Sequence, residues 1–340
     1  MKKLLFLFML SLLLVSMAWG QTTVFSDDFS TNQNEIWTTS GLIGSSAWTV
    51  SRSGVDWGAR RNTSPAQLEL TNDASGSKNV AGWVFANVET TDFSSPYNAS
   101  LSSNPGLITW SFNIRQIRTD PAGFSSGNYG AAFILATTSQ TANNTGTGYA
   151  IVYGQSGNTD PIRLAKFSSG LSSLSEATNI ITSNTSGLTD FGAEYISCMV
   201  TYNPSNNQWE LFLRKDGTSA FADPQTGTLV SQGTATDNTY TSTSLGYMGG
   251  YWQGSTTANQ TAFFDNVLVS VSAGDTHDPS ITLSTDPLSD FTYVFGNGPS
   301  AAQSFTVSGA NLTQNITLTA PTSYEISISS ESGYTSSITL

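Results

Sequence analysis

One stretch constrains the fold of this chain more than any other, and it runs from Glu194 to Gly217. Ile196, Cys198, Val200 and Tyr202 alternate with Ser197 and Thr201. After Asn-Pro-Ser-Asn-Asn, the residues Trp209, Leu211 and Leu213 alternate with Gln208, Glu210 and Arg214, and the stretch closes on Lys215-Asp216-Gly217. Period-two alternation places successive side chains on opposite faces of an extended strand. Two such runs around a Pro/Asn/Ser turn predict a β-hairpin, and Asp-Gly opens another reversal directly after it. An isolated hairpin is at best marginal in water, so the rest of the chain must supply strands for it to pack on.

The remainder of the first 272 residues meets that need. Thr23–Phe29, Trp48–Val50, Gln67–Leu70, Leu107–Arg118, Tyr129–Thr137, Gly148–Tyr153, Ile162–Phe167, Leu245–Trp252 and Ala262–Val271 all read as strands, and helical periodicity never appears. In the run from Ala81 to Asn87, Trp83 obeys the alternation and is assigned with Trp110 and Trp209 to the core. The segments 138–147 and 168–187 are rich in Ser, Thr, Asn and Gly and read as loops. Roughly a dozen strands with turn signals throughout predict an all-β fold, a two-sheet antiparallel sandwich of the jelly-roll kind.

Charge and cysteine content narrow the function classes. Formal charge is −12, and only 11% of residues are charged. The acidic residues are scattered, so polyanions are repelled and nucleic acid is excluded as a partner. Cys198 is the single cysteine, which leaves no internal disulfide and no cysteine-based metal cluster. Lys2 and Lys3, an apolar run from Leu4 to Val15, and Ala18-Trp19-Gly20 have the form of a secretory signal peptide, with Gln21 as the expected mature end. That apolar run is short for a membrane span and no second one follows. A secreted or cell-surface location is therefore expected.

Several motifs resemble known modules. A Val-Thr-Tyr strand followed by an aromatic-rich strand ending in Asp-Gly resembles the central hairpin of concanavalin A-like, or laminin-G-like, jelly rolls, the fold of many lectins and glucanases. Phe264-Asp265-Asn266-Val267 followed by alternating valines is similar to the closing strand of secreted jelly-roll modules. The resemblance covers about residues 24–272 and implies that the first and last strands are neighbours. Beyond a polar linker (273–279) that holds the only histidine, His277, a second pattern begins. It includes Phe291, Tyr293 and Phe295, then Phe305 and Val307, Tyr324, Ile326 and Ile328. The Gly-Pro-Ser-x-x-Gln-Ser-Phe-x-Val-Ser-Gly stretch at 298–309 resembles immunoglobulin-like repeats of large secreted Bacteroidota proteins. Residues 280–340 are fewer than the ~100 such a fold usually needs, so a truncated repeat with further C-terminal domains is expected.

The chemistry is read as much from exclusions as from candidates. One histidine in a linker rules out Ser-His-Asp and Cys-His catalysis as ordinarily built and a multi-histidine zinc site. Glycoside hydrolysis needs two carboxyls flanking one bond. The chain has eight glutamates and no Glu-x-Asp-x-Glu strand; the nearest pairs are Glu69 with Asp73 and Asp190 with Glu194. No catalytic residue is assigned. For ligand binding the expected tool is aromatic surface, since sugar rings pack their C–H faces on Trp and Tyr. Trp57 with Arg60 and Arg61 in a loop, Tyr251 and Trp252 at the end of a glycine-rich strand, and Tyr153 before a Gly-Gln-Ser-Gly turn are the candidates. The alternative for Trp57 and Trp252 is a plug over the sheet edge. Arg115, Arg118, Arg163 and Lys166 would either polarise a face towards acidic glycans or be solvated strand surface. Asp27, Asp28 and Asp265, where the first and last strands meet, are the candidate ligands of a structural calcium ion. The sequence thus predicts a non-catalytic module for a polysaccharide or cell-surface glycan. The alternatives are a structural or adhesive spacer and an accessory domain of a polysaccharide-degrading enzyme.

Overall fold

A computed structural model describes residues 20–76, 81–124, 129–172, 177–254 and 261–273, and 280–340 except 285–287, 289, 290, 293, 298, 311, 313, 330 and 331. The signal peptide (apart from Gly20) and His277 lie outside the described residues. The chain divides into two compact units, Met1–Gly274 and Asp275–Leu340.

In the first unit the strands are β1 (Gln21–Asp27), β2 (Asn34–Thr38), β3 (Gly41–Leu42), β4 (Thr49–Ser53), β5 (Gly58–Thr63), β6 (Ala66–Thr71), β7 (Gly82–Glu89), β8 (Ile108–Gln116), β9 (Gly130–Thr137), β10 (Gly148–Tyr153), β11 (Ile162–Phe167), β12 (Ala177–Thr182), β13 (Tyr195–Asn203), β14 (Gln208–Gly217), β15 (Val230–Thr236), β16 (Tyr247–Gly254) and β17 (Thr261–Ser272). They form two antiparallel sheets. The first runs β15-β14-β13-β8-β17-β6-β5-β2, with β1 also paired to β17; the second runs β12-β11-β10-β9-β16-β7-β4-β3. This is a jelly-roll sandwich, and its first and last strands are neighbours, with Asp27 opposite Val267.

The hairpin that organises the sequence is β13–β14, with Tyr202 opposite Trp209 and Asn203 opposite Gln208. Asn207 adopts φ 56° to close its turn, a conformation Asn tolerates better than most residues. Its inward face, from Ile196 to Tyr202 and from Trp209 to Leu213, is fully buried against β8, whose Trp110 stacks on Trp209 at 6.0 Å. Phe112 of β8 stacks in turn on Phe133 of β9 across the sandwich, at 3.9 Å. Each such aliphatic or aromatic side chain removed from water contributes about 1.5–3 kcal/mol. Cys198 lies inside this layer, and burial pushes its thiol pKa well up, with the Asp216 charge adding to the effect.

The two sheets also cover their outer faces, and by different means. On the first sheet, Asn113 and Ser197 point outward yet are fully buried under the segment that follows β14. The Asn113 amide donates to the Asp216 carboxylate (3.1 Å) and the Ala222 carbonyl (3.0 Å), and the Ser197 hydroxyl donates to the same two groups. Arg214 pairs with Asp216 at 2.8 Å. On the second sheet, Phe85, Ala132, Ile134, Ala150, Val152, Ala165 and Phe167 build a separate apolar cluster with Phe124, Ala142 and Leu171 from the loops.

This second cluster corrects the facing of β7. Val84, Ala86 and Val88 point into the sandwich, while Trp83 and Phe85 point out onto the second cluster. Alternation fixes which residues share a face but not which of two apolar faces is the interior.

Among its described residues the second unit holds two small antiparallel pairs, β18 (Ser280–Leu283) with β19 (Val307–Ala310) and β20 (Thr317–Thr319) with β21 (Ser337–Thr339). The expected strand at 291–295 is absent among the described residues there, and Phe295 is 93% exposed. Two-stranded pieces bury too little to order every apolar run in the segment.

Candidate functional site

The aromatic candidates taken from the sequence are buried. Trp57 and Trp252 are 0% and 1% exposed, and their rings meet at 5.8 Å inside one end of the sandwich. Gly54 (φ 94°) and Gly82 press on the Trp57 ring so closely that a Cβ at either would collide with it. Trp57 is thus the plug of the sandwich end, and a ring covered on both faces has none to offer a pyranose. The structure corrects the sugar-platform role of both residues.

The remaining candidates are framework as well. Arg60 and Arg61 are in strand β5 rather than a loop. Arg60 pairs with Glu69 at 2.7 Å and lies 4.3 Å from the centre of the Trp37 ring. Arg61, 1% exposed, binds the Asp27 carboxylate and donates to the Thr31 carbonyl. Tyr153 is buried, its hydroxyl within 2.9 Å of the Gly192 carbonyl and 3.1 Å of that of Glu194. Among the strand cations, Arg163 is fully buried, donates to the carbonyls of Gly154 and Gly123, and is lowered to about 10 by burial. Lys166 is bound to Asp237.

What the structure offers instead is the end of the outer apolar cluster on the second sheet. Trp83 is half-buried, and its ring stacks on Tyr251 at 6.3 Å with an interplanar angle of 21°. Register explains the pairing: Gln253 sits opposite Trp83, and Tyr251 opposite Phe85. Tyr251 is itself covered, between Phe85 and Phe124. Its hydroxyl donates to Gln253 Oε1 (2.7 Å), which also accepts from the Asn143 amide (2.7 Å), while the Gln253 amide donates to the Ser172 carbonyl (3.0 Å). The result is one partly open indole face resting on an immobile ring, beside a row of amide and hydroxyl groups. Sequence reasoning placed Trp83 in the core because it fits the alternation; the signal available was the run of small and apolar residues on both faces of β9 and β10.

Carboxylates are scarce here. In the eight strands of the second sheet, Glu89 is the single acidic residue. Elsewhere one member of each carboxylate pair suggested by the sequence is committed to other partners: Glu69 is engaged by Arg60, Asn62 and Gln67, and Glu194 by Lys215.

The expected calcium ligands do cluster, but not as a trio. Asp27 is committed to Arg61 and to the Trp48 indole N–H (2.8 Å), which removes it from the set. Asp28 accepts the Ser30 N–H and hydroxyl on one oxygen, and Asp265 accepts the Asn266 N–H on one oxygen, so each keeps its other oxygen. Burial, and then the charges of Asp28, Asp27 and Asp223, raise Asp265 to about 7. No group of three His, Cys, Asp or Glu side chains able to hold a metal ion occurs among the described residues. Asp28 and Asp265 are a pair that would need carbonyl or water oxygens to complete a calcium shell.

No family model matches the sequence, and no curated protein matches it. Among solved structures, similar chains include the basic winged bean lectin with Tn-antigen (14% identity, 69% of this chain and 97% of that one, TM-score 0.43). The lectin from Bauhinia forficata in complex with GalNAc matches at 10% identity over 75% of this chain and all of its own, with TM-score 0.42. Lectin II from Ulex europaeus matches at 12% identity over 73% and 97%, with TM-score 0.40. These likenesses are distant, and no residue role is carried over from them.

Proposed function

We propose that the first unit is a non-catalytic binding module for an extracellular glycan, exported by the signal peptide at residues 1–20. The observation that carries this reading is the half-open Trp83 ring stacked on Tyr251 beside the Asn143 and Gln253 amides. An apolar ring face beside a partly exposed amide that is held in place is the combination a sugar requires, with C–H groups on the ring and hydroxyls on the Asn143 amide, which Gln253 fixes. The scarcity of carboxylates in the second sheet supports binding without hydrolysis, because hydrolysis takes two. In this reading the second unit is an immunoglobulin-like spacer, and Asp28 with Asp265 holds a structural calcium ion.

The test is a glycan array followed by titration of any hit. Binding that falls at least about tenfold in Trp83→Ala, with the melting temperature nearly unchanged, is the expected result. Binding unaffected by Trp83→Ala would move the site elsewhere. An array with no hit would favour the alternative of a structural or adhesive spacer.

A further inference from the structure

A second feature lies where β8 ends and β13 begins. An open groove of about 380 Å3 is lined by Arg115, Thr119, Asp190, Gly192, Lys215 and Thr218 among others. Arg115 projects from the outward side of β8 and is held rigidly. Its guanidinium lies 4.1 Å from the centre of the Tyr195 ring, Nε donates to the Ala193 carbonyl (2.9 Å), and Nη1 donates to the Tyr195 hydroxyl (3.0 Å). A guanidinium has five N–H donors. The others on Arg115 have no acceptor among the described residues, and no carboxylate pairs with it there.

Of the other charged lining residues, Lys215 and Glu194 pair with each other at 3.1 Å, while Asp190 is turned to the backbone N–H of Asp160 (3.3 Å). Arg115 is the cation of the groove that has no carboxylate bound to it among the described residues. The wall that holds its Nε is fixed from below, since the Tyr153 hydroxyl bonds the carbonyls of Gly192 and Glu194. Tyr153 is thus a positioning residue for this groove. A planar fork held in place, with free donors in a polar recess, matches a carboxylate better than any neutral group. Thr119 and Thr218 add hydroxyls of the kind that meet a sugar ring.

We propose that this groove is a carboxylate subsite that takes a uronic acid residue of an acidic polysaccharide, with Arg115 gripping the carboxylate. The proposal rests on the glycan reading above. Its test is calorimetric titration of the whole chain with an oligogalacturonide, a neutral galactan oligosaccharide of equal length, and a short peptide with a free C-terminal carboxylate. The acidic sugar should bind about tenfold more tightly than the neutral one. Arg115→Gln should erase that difference, and Arg115→Lys should restore only part of it, because an ammonium keeps the charge without the fork. If Arg115→Gln lowers the melting temperature, the acid-to-neutral ratio in Arg115→Lys decides. Equal affinity for the two sugars, lost in Trp83→Ala, would overturn the subsite and leave the glycan reading standing. Peptide bound in preference to oligogalacturonide would overturn the uronic acid assignment. Binding of neither sugar would overturn the uronic acid subsite, while the glycan reading is decided by the array.

Discussion

Asn113 of β8 and Ile134 of β9 both sit in central strands and both point away from the sandwich interior. Both are fully buried, yet what covers them differs completely. Asn113 is roofed by a polar lattice of Ser197, Asp216 and the Ala222 carbonyl, while Ile134 is roofed by Phe85, Ala142 and their apolar neighbours. A polar roof depends on each member being present, because a lost partner leaves a buried donor or charge uncompensated. An apolar roof is non-directional, so it can be left partly open at its edge without an orphaned group. That is where Trp83 lies.

The comparison can be broken by taking one residue from each roof. Asp216→Ala removes the carboxylate that Asn113, Ser197 and Arg214 share, leaving them carbonyl acceptors such as that of Ala222, and should destabilise by about 3–4 kcal/mol, near the low end for a buried pair because Arg214 is partly exposed. Phe167→Ala leaves a cavity in the apolar roof and should cost about 3 kcal/mol. Urea unfolding of both variants checks the order; an apolar loss clearly exceeding the polar one would mean the lattice is decorative.

A smaller effect comes from pH. Asp160 is 3% exposed, and burial, then the charges of Asp120 and Asp190, raise its carboxyl to about 7. Its folded pKa lies above its unfolded one, so the native state binds the extra proton between about pH 4 and 7 and stability falls as pH rises through that window. The melting temperature should be higher at pH 5.5 than at pH 8, and Asp160→Asn should flatten the profile. A profile equally steep in the variant would assign the titration to another group. Smallest is calcium: millimolar calcium at pH 8 should raise the melting temperature by a few degrees in the parent and not in Asp265→Asn. No response in either would remove the ion.

The sheets were legible in the sequence where one face is apolar and the other polar, and the β13–β14 hairpin has the expected facing. β10 and β11 run over the residues marked in the sequence, although both of their faces are apolar. Legibility failed where the residues mark no apolar face. β5 reads as a loop because Arg60 and Arg61 are adjacent cations, and only the partners Glu69 and Asp27 reveal that they occupy opposite faces of a strand. β12 hides in a Ser/Thr/Asn-rich segment because it is an edge strand with little to bury. The site failed for the opposite reason. Trp57 reads as a loop residue and Trp252 as the end of a glycine-rich strand that runs into a loop, which suggested exposure, and nothing local shows that Gly54 and Gly82 were left bare to admit the Trp57 ring.

Cys198 gives the molecule an internal clock. It is the single thiol of the chain, enclosed in the inner face of β13, and held protonated by its surroundings. A thiol-specific reagent can reach it only when that central strand opens. The rate of alkylation at rising reagent concentration therefore reads the opening equilibrium of the sandwich directly, with no probe to be engineered and no second sulfhydryl to confuse the signal.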